Sequence, residues 1–182
     1  ADAIRPASYE LDLERLAHCD LVVEAVAERM DIKTALYERV APALGTNTMF
    51  VTNTSGLPIG TLADALPRHA RARFCGVHFF NPPRYMHLVE LIAHPGTDAN
   101  VLYRLEGFLT TGLGKGVLHA RDTPGFIGNR VGVFALSNVI AHAERLGLPF
   151  DLVDRLTGPG IGRPKSATFR TADVVGLDTY AH

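Results

Sequence analysis

The sequence predicts an α/β fold, an open and largely parallel sheet followed by a helical region. Short β-branched apolar segments alternate with amphipathic ones from Leu21 to His119. Beyond Asp122 the pattern turns helical. Of the 182 residues 47% are apolar and 20% charged, so the chain can bury a core and lies outside the disordered range.

Residues 21–27, Leu-Val-Val-Glu-Ala-Val-Ala, read as a buried strand of a parallel sheet. Residues 28–44 follow as an amphipathic helix. Ile32, Leu36 and Val40 recur four apart on its expected inner face, and Gly45 closes it. Residues 48–52 form the second strand, with turn residues Asn53, Thr54, Ser55 and Gly56 at its end. A short helix over 58–66 stops at Pro67. Strands are expected at 74–79, 87–92 and 115–119, the last after a helix over 98–111.

Asp122 marks the expected boundary, giving a sheet domain over 1–122 and a helical domain over 123–182. Pro124 suits an early helical position, and a helix is predicted from there to Leu146, with Gly147 as its stop. Its first half is apolar on most sides, which asks for burial against the sheet domain, another helical layer or another subunit. Further helical segments are expected at 150–156 and 171–180. About 60 residues make a small independent core.

Several function classes are excluded. A net charge of −1 argues against a duplex nucleic-acid binder, which needs a basic face. No apolar run reaches the roughly 20 residues that cross a bilayer. The N-terminus is neither a start methionine nor a signal peptide. Cys19 and Cys75 have no spacing that demands a bridge, which favours a reducing compartment. No metal is expected, since the chain has neither a CxxC pair nor an HExxH helix. It has no GxSxG elbow, Walker A loop or G-x-G-x-x-G fingerprint. The glycine runs at 112–116 and 158–162 do not lead from a strand into a helix, so both read as turns.

The informative residues cluster at strand ends, where parallel sheets bind ligands. Glu28 follows the first strand, Asn53-Thr54-Ser55 the second, and His78 with Asn81 the third; Glu90 stands near the end of the fourth. A histidine oriented by a carboxylate can act as a general base near neutral pH. Hydroxyl and amide groups from Ser55 and Asn129 could fix an alcohol or carbonyl. Taken singly, His78 also fits a hydrogen-bonded core histidine and Glu90 an ordinary pairing carboxylate.

Five blocks occur together in order: DLVVEAV from Asp20, TNTS from Thr52, HFFNP from His78, LVE from Leu88 and DTPGFIGNR from Asp122. Over nearly the whole chain they resemble the NAD-dependent L-3-hydroxyacyl-CoA dehydrogenases of fatty-acid β-oxidation. Pro82-Pro-Arg-Tyr-Met86 resembles the branch fused to an enoyl-CoA hydratase. The resemblance implies a Rossmann-like NAD-binding domain, then a helical substrate and dimerisation domain. It implies oxidation of a 3-hydroxyacyl-CoA thioester to the 3-ketoacyl-CoA, with His78 as base and Glu90 orienting it. Ser55 would hydrogen-bond the substrate oxygen near the nicotinamide, and Asn129 would help position the substrate and His78. Ala25, Glu28, Lys33, Ser55 and Asn81 match positions lining the NAD site. A homodimer, or a fused or associated hydratase domain, is the expected partner.

Gly56 stands where the resemblance has a second serine, which bears on the turn holding Ser55. The family's opening strand and G-x-G-x-x-G turn are not matched, so the chain reads as an internal fragment with an apolar sheet edge and little activity alone. Lysine supplies only three of the 18 basic residues, a bias pointing to a GC-rich bacterial source and the cytoplasm. Two other readings stand beside the dehydrogenase. One is a catalytically silent dimerisation or binding module. The other is a related β-hydroxyacid dehydrogenase, which would want a lysine base in the helical domain; residues 124–146 contain none.

Overall fold

In the computed structural model, residues 3–176 are described. Five strands stand side by side in chain order: β1 (Leu21–Glu24), β2 (Met49–Thr52), β3 (Phe74–Phe79), β4 (Leu88–Ile92) and β5 (Gly116–Ala120). The β1–β2, β2–β3 and β4–β5 pairs are parallel, as a largely parallel sheet requires. The β3–β4 pair is antiparallel. Its short connection, residues 80–87, leaves no room for a crossover helix, and the chain simply turns back.

Between β1 and β2 runs α1 (Met30–Val40), continued by a 3-10 turn, Ala41–Ala43. The helix begins two residues later than the sequence pattern suggests, because residues 25–29 turn away from the strand end. Two short helices, α2 (Ile59–Asp64) and α3 (Arg68–Arg71), lead from β2 to β3. Between β4 and β5 lies α4 (Ala99–Gly107), whose first turn is capped by the Asp98 carboxylate accepting the Asn100 N–H. A π-helical turn, Phe108–Gly112, extends it. A 3-10 segment, Leu13–His18, precedes β1 and carries no signal that sequence reading had picked up.

Alternation along the strands splits the core between the two faces of the sheet. Phe50, Phe74 and Ile92 turn to one face and pack with Tyr37 and Val40 of α1 and Ile59 and Leu62 of α2. Met49, Val51, Cys75, Val77, Val89 and Leu91 turn to the other, against Val101, Leu105 and Leu109. Gly76 lets α2 come close, for a Cβ there would sit 2.8 Å from Ile59 Cδ1. Glu24, Thr52, His78 and Glu90 share the parity of the first set and so lie on the face of α1 and α2.

The chain divides into two compact units, Ala1–Ile127 and Gly128–His182. The second holds α5 (Gly128–Leu146), α6 (Phe150–Leu156) and α7 (Phe169–Val175). The helix α5 begins four residues beyond Pro124, because residues 124–127 form a turn instead. Among its residues Ala143 is buried, while Val131 and Phe134 are exposed. Within this unit the Asp154 carboxylate accepts the N–H groups of Thr168, Phe169 and Arg170 and so starts α7. Residues 177–180 of the last expected helix lie outside the described residues.

Candidate active site

The antiparallel β3–β4 pair sets His78 directly opposite Glu90. Side chains at such paired positions share a face and come within reach of each other. His78 Nδ1 lies 2.8 Å from Glu90 Oε2, with both residues buried. Glu90 stands mid-strand rather than near its end; the β3–β4 register is what sets it opposite His78, near the carboxyl end of β3. A carboxylate can only accept, so in a bond to the Glu90 carboxylate His78 Nδ1–H is the donor and Nε2 is left as the acceptor. Phe80 and Phe126 flank the ring, with centroids 4.5 and 5.7 Å away. The two rings wall the imidazole with apolar surface.

The second carboxylate oxygen, Glu90 Oε1, accepts the Ile127 N–H at 2.8 Å. Ile127 closes a turn begun at Asp122, whose carboxylate accepts the N–H groups of Ile59 and Gly60 and tethers the start of α2. Gly125 (φ 71°) and Phe126 (φ 46°) are both left-handed. For a residue with a side chain that conformation costs about 1–2 kcal/mol, here against burial of the Phe126 ring in the core.

The turn after β2 is fastened by Glu28. Its Oε1 accepts from the Thr54 hydroxyl at 2.6 Å, the Ser55 N–H at 2.7 Å and the Gly56 N–H at 3.1 Å. The Ser55 main chain is thus tied to Glu28, and the residue is exposed. Nothing lies within 4 Å of where a Gly56 Cβ would be, and its N–H is tied, so the glycine does not free the turn. Asn53 Oδ1 accepts the Phe79 N–H, which joins the ends of β2 and β3.

A buried charged group lies beneath this turn. Glu24 accepts from Val26 N–H, Lys33 Nζ at 2.7 Å, the Tyr37 hydroxyl at 2.9 Å and the Thr52 hydroxyl at 2.7 Å. Burial alone would raise the Glu24 carboxyl, but the bonds from Lys33, Thr52, Tyr37 and Val26 outweigh it and hold the group below its ordinary value. Burial, with Glu24 beside it, pushes the Tyr37 phenol far up, so it stays a donor. Lys33 Nζ also stands 3.5 Å from Glu28 Oε2, linking the buried pair to the Ser55 turn. Sequence reading passed over Glu24, Tyr37 and Thr52. The signal was there: a lone acid in an apolar strand must find donors or not ionise.

Of the site residues expected from the sequence, His78 and Glu90 are brought together, and Ser55 with Glu28. Ala25 and Asn81 are exposed, one just beyond β1 and the other in the loop after β3. Lys33 is buried rather than on the surface. Asn129 belongs to the second unit, as the second residue of α5. The Cys75 thiol is pushed up to about 12 by burial and is no nucleophile. Among the described residues no helix is long and apolar enough to cross a membrane, and no three His, Cys, Asp or Glu side chains group as metal ligands.

Ala25, Glu28, Ser55 and Asn81 are all exposed beyond the carboxyl ends of β1, β2 and β3, the edge at which parallel sheets take ligands.

Residues 1–123 match the family described as 3-hydroxyacyl-CoA dehydrogenase, NAD binding domain. A probable 3-hydroxyacyl-CoA dehydrogenase of Deinococcus radiodurans is 42% identical over 182 residues, covering 100% of this chain and 53% of that protein. A putative fatty acid oxidation complex trifunctional enzyme of Rickettsia felis is 42% identical over 171 residues, 94% of this chain and 24% of its own length. The crystal structure of (S)-3-hydroxybutyryl-CoA dehydrogenase PaaH1 from Ralstonia eutropha superposes with a TM-score of 0.84 at 30% identity, over 97% of this chain and 59% of that one. The chain therefore spans about half the length of the first relative.

Proposed function

This chain belongs to the 3-hydroxyacyl-CoA dehydrogenase family, through its NAD-binding domain, and on that footing we propose that it carries the catalytic base of an L-3-hydroxyacyl-CoA oxidation. The observation that carries the reading is the buried, in-register bond between His78 and Glu90.

NAD, when bound, supplies the acceptor for the C3 hydride of the substrate. The protein's part is the proton. His78 Nε2 takes the substrate hydroxyl proton as the C3 carbonyl forms, and Glu90 stabilises the imidazolium that results and fixes its orientation. Ser55 Oγ hydrogen-bonds the same substrate oxygen. Ala25, Glu28 and Asn81 line the dinucleotide, while Lys33 supports that surface from below through Glu28. Asn129, the second residue of α5, helps to place the substrate. In reverse, His78 returns the proton to the ketone oxygen.

The substrate is an acyl-CoA thioester, and the route is fatty-acid β-oxidation. The name of the Rickettsia relative supports the route and a larger chain with a fused hydratase domain. The exposed Val131 and Phe134 of α5 support association through the helical domain as a homodimer. Bacterial relatives such as that of Deinococcus radiodurans support a cytoplasmic place.

The test is acetoacetyl-CoA reduction with NADH by the natural full-length protein. His78→Ala is expected to lower kcat by about 100- to 10,000-fold, the worth of a positioned general base, with NAD binding little changed. Near-wild-type turnover in that variant would overturn the assignment.

A further inference from the structure

A carboxylate held at one oxygen is not yet aimed. The last torsion of a glutamate is broad and roughly two-fold, so a donor on its second oxygen narrows the aim of Glu90 and of the imidazole with it. In this protein the other oxygen, Oε1, is engaged by a main-chain donor, the Ile127 N–H at 2.8 Å. A backbone amide cannot change rotamer, and a bond from it to a carboxylate is of the strong, charge-assisted kind.

The turn that delivers this amide is unusual. Asp122 anchors one end on the N–H groups of Ile59 and Gly60, and the Phe126 N–H closes on the Thr123 carbonyl at 2.9 Å. To bring the next amide onto Glu90 the chain passes through two left-handed residues, Gly125 and Phe126. Glycine does this freely; phenylalanine does not. The Phe126 ring is nonetheless buried, 5.7 Å from the His78 ring, so the same residue that bends the backbone also braces the imidazole. Strain of this kind persists where surrounding structure over-determines it, and it gathers at functional sites.

We infer that the Ile127 main-chain N–H, aimed by the left-handed Phe126, is a positioning group of the catalytic pair: it holds Glu90 Oε1 so that Oε2 stays on His78 Nδ1. The inference rests on the reading of His78 as the base. It makes residues 122–127 part of the site by their backbone.

The experiment replaces the Ile127 N–H by an ester oxygen in the natural full-length protein, through incorporation of the α-hydroxy analogue of isoleucine. The same replacement at Thr123, whose N–H goes only as far as the Arg121 carbonyl in that turn, is the control. The Ile127 ester is expected to lower kcat by about 10- to 100-fold, the scale of a slight misplacement of a catalytic group, with KM for both substrates nearly constant. It should also move the nuclear magnetic resonance of the His78 Nδ1 proton, and the Thr123 ester should do neither. A second arm needs no ester: hydrogen exchange at the Ile127 amide should speed up at least about tenfold in Glu90→Ala, as loss of one protecting bond implies. An Ile127 ester with wild-type kcat, an unmoved His78 resonance, or an Ile127 amide indifferent to Glu90→Ala would overturn the inference. If the wild-type protein shows no dehydrogenase turnover, the reading of function fails instead, and the resonance and exchange arms still decide the positioning.

Discussion

Lys33 and Glu24 form a 2.7 Å ion pair in which each side chain is only 1% exposed. The pair sits under the Ser55 turn and reaches it through Glu28. Removing one partner of such a pair leaves an uncompensated charge in the interior. Lys33→Met is therefore expected to lose about 3–5 kcal/mol of stability. Adding Glu24→Gln to it should recover part of that loss. Urea unfolding of the two proteins checks this, and a double variant no more stable than Lys33→Met alone would contradict it.

The same network makes stability depend on pH. Glu24 is held below its ordinary value of 4.5, so in acid the unfolded chain takes up this proton before the folded one does. Its contribution is present above pH 4.5 and is lost as the pH falls through the depressed folded value. Melting temperatures of wild type and Glu24→Gln, taken at successive pH values below neutrality, should diverge in slope below pH 4.5, the wild type falling more steeply. Parallel curves would show that Glu24 is not the group responsible.

Ser55 and Glu28 should separate cleanly. The Ser55 N–H bond to Glu28 survives Ser55→Ala, which removes only the hydroxyl. In the natural full-length protein it should lower kcat by about 100-fold, the scale of losing one preorganised donor, with a smaller loss of melting temperature than Glu28→Ala, since Glu28 still holds the turn. Glu28→Ala frees three donors. Because the Glu28 side chain is 43% exposed and water can replace it, the stability loss should be only about 1 kcal/mol, but NAD affinity should fall. Calorimetric titration with NAD alongside thermal melts distinguishes the two, and equal melting losses would refute the division.

Gly76→Ala probes the seat of α2. The new methyl would stand 2.8 Å from Ile59 Cδ1 and 3.2 Å from Ile92 Cβ. Overpacking of this kind is expected to destabilise by about 1–3 kcal/mol. Ile59→Val, which removes the crowded methyl, should restore part of the stability in the double variant. A Gly76→Ala protein as stable as wild type would mean that α2 moves away without cost.

The strand series and the polar residues at its ends could be read from the chain because they are local. A four- to six-residue apolar run, its flanking turns and its crossover helix lie within a few tens of residues. Where the reading slipped, the cause was a contact from elsewhere. The spacing of Ile32, Leu36 and Val40 suggested the inner face of α1, yet Lys33, Tyr37 and Val40 are the buried residues there, and Ile32 is 37% exposed. A lysine counts as outward in such a periodicity, and the carboxylate of Glu24 on the neighbouring strand draws it inward, while Tyr37 packs its ring on Phe50 and Phe74 and donates its hydroxyl to the same carboxylate. The helix expected at Pro124 fails for a similar reason, since residues 122–127 are bent by bonds to α2 and to Glu90 that no local pattern encodes.

The sequence by itself determined which residues could do chemistry here: an imidazole in an apolar strand, a carboxylate twelve residues on, a hydroxyl turn at the end of another strand. Their joining was decided by the tertiary structure alone. The antiparallel return at β4 and its register put Glu90 opposite His78. Strand direction depends on how the connecting segment packs, and register on which partner each strand finds. Both are non-local free energies, summed over the whole sheet and its two layers of helices, and neither is written in any single stretch of residues.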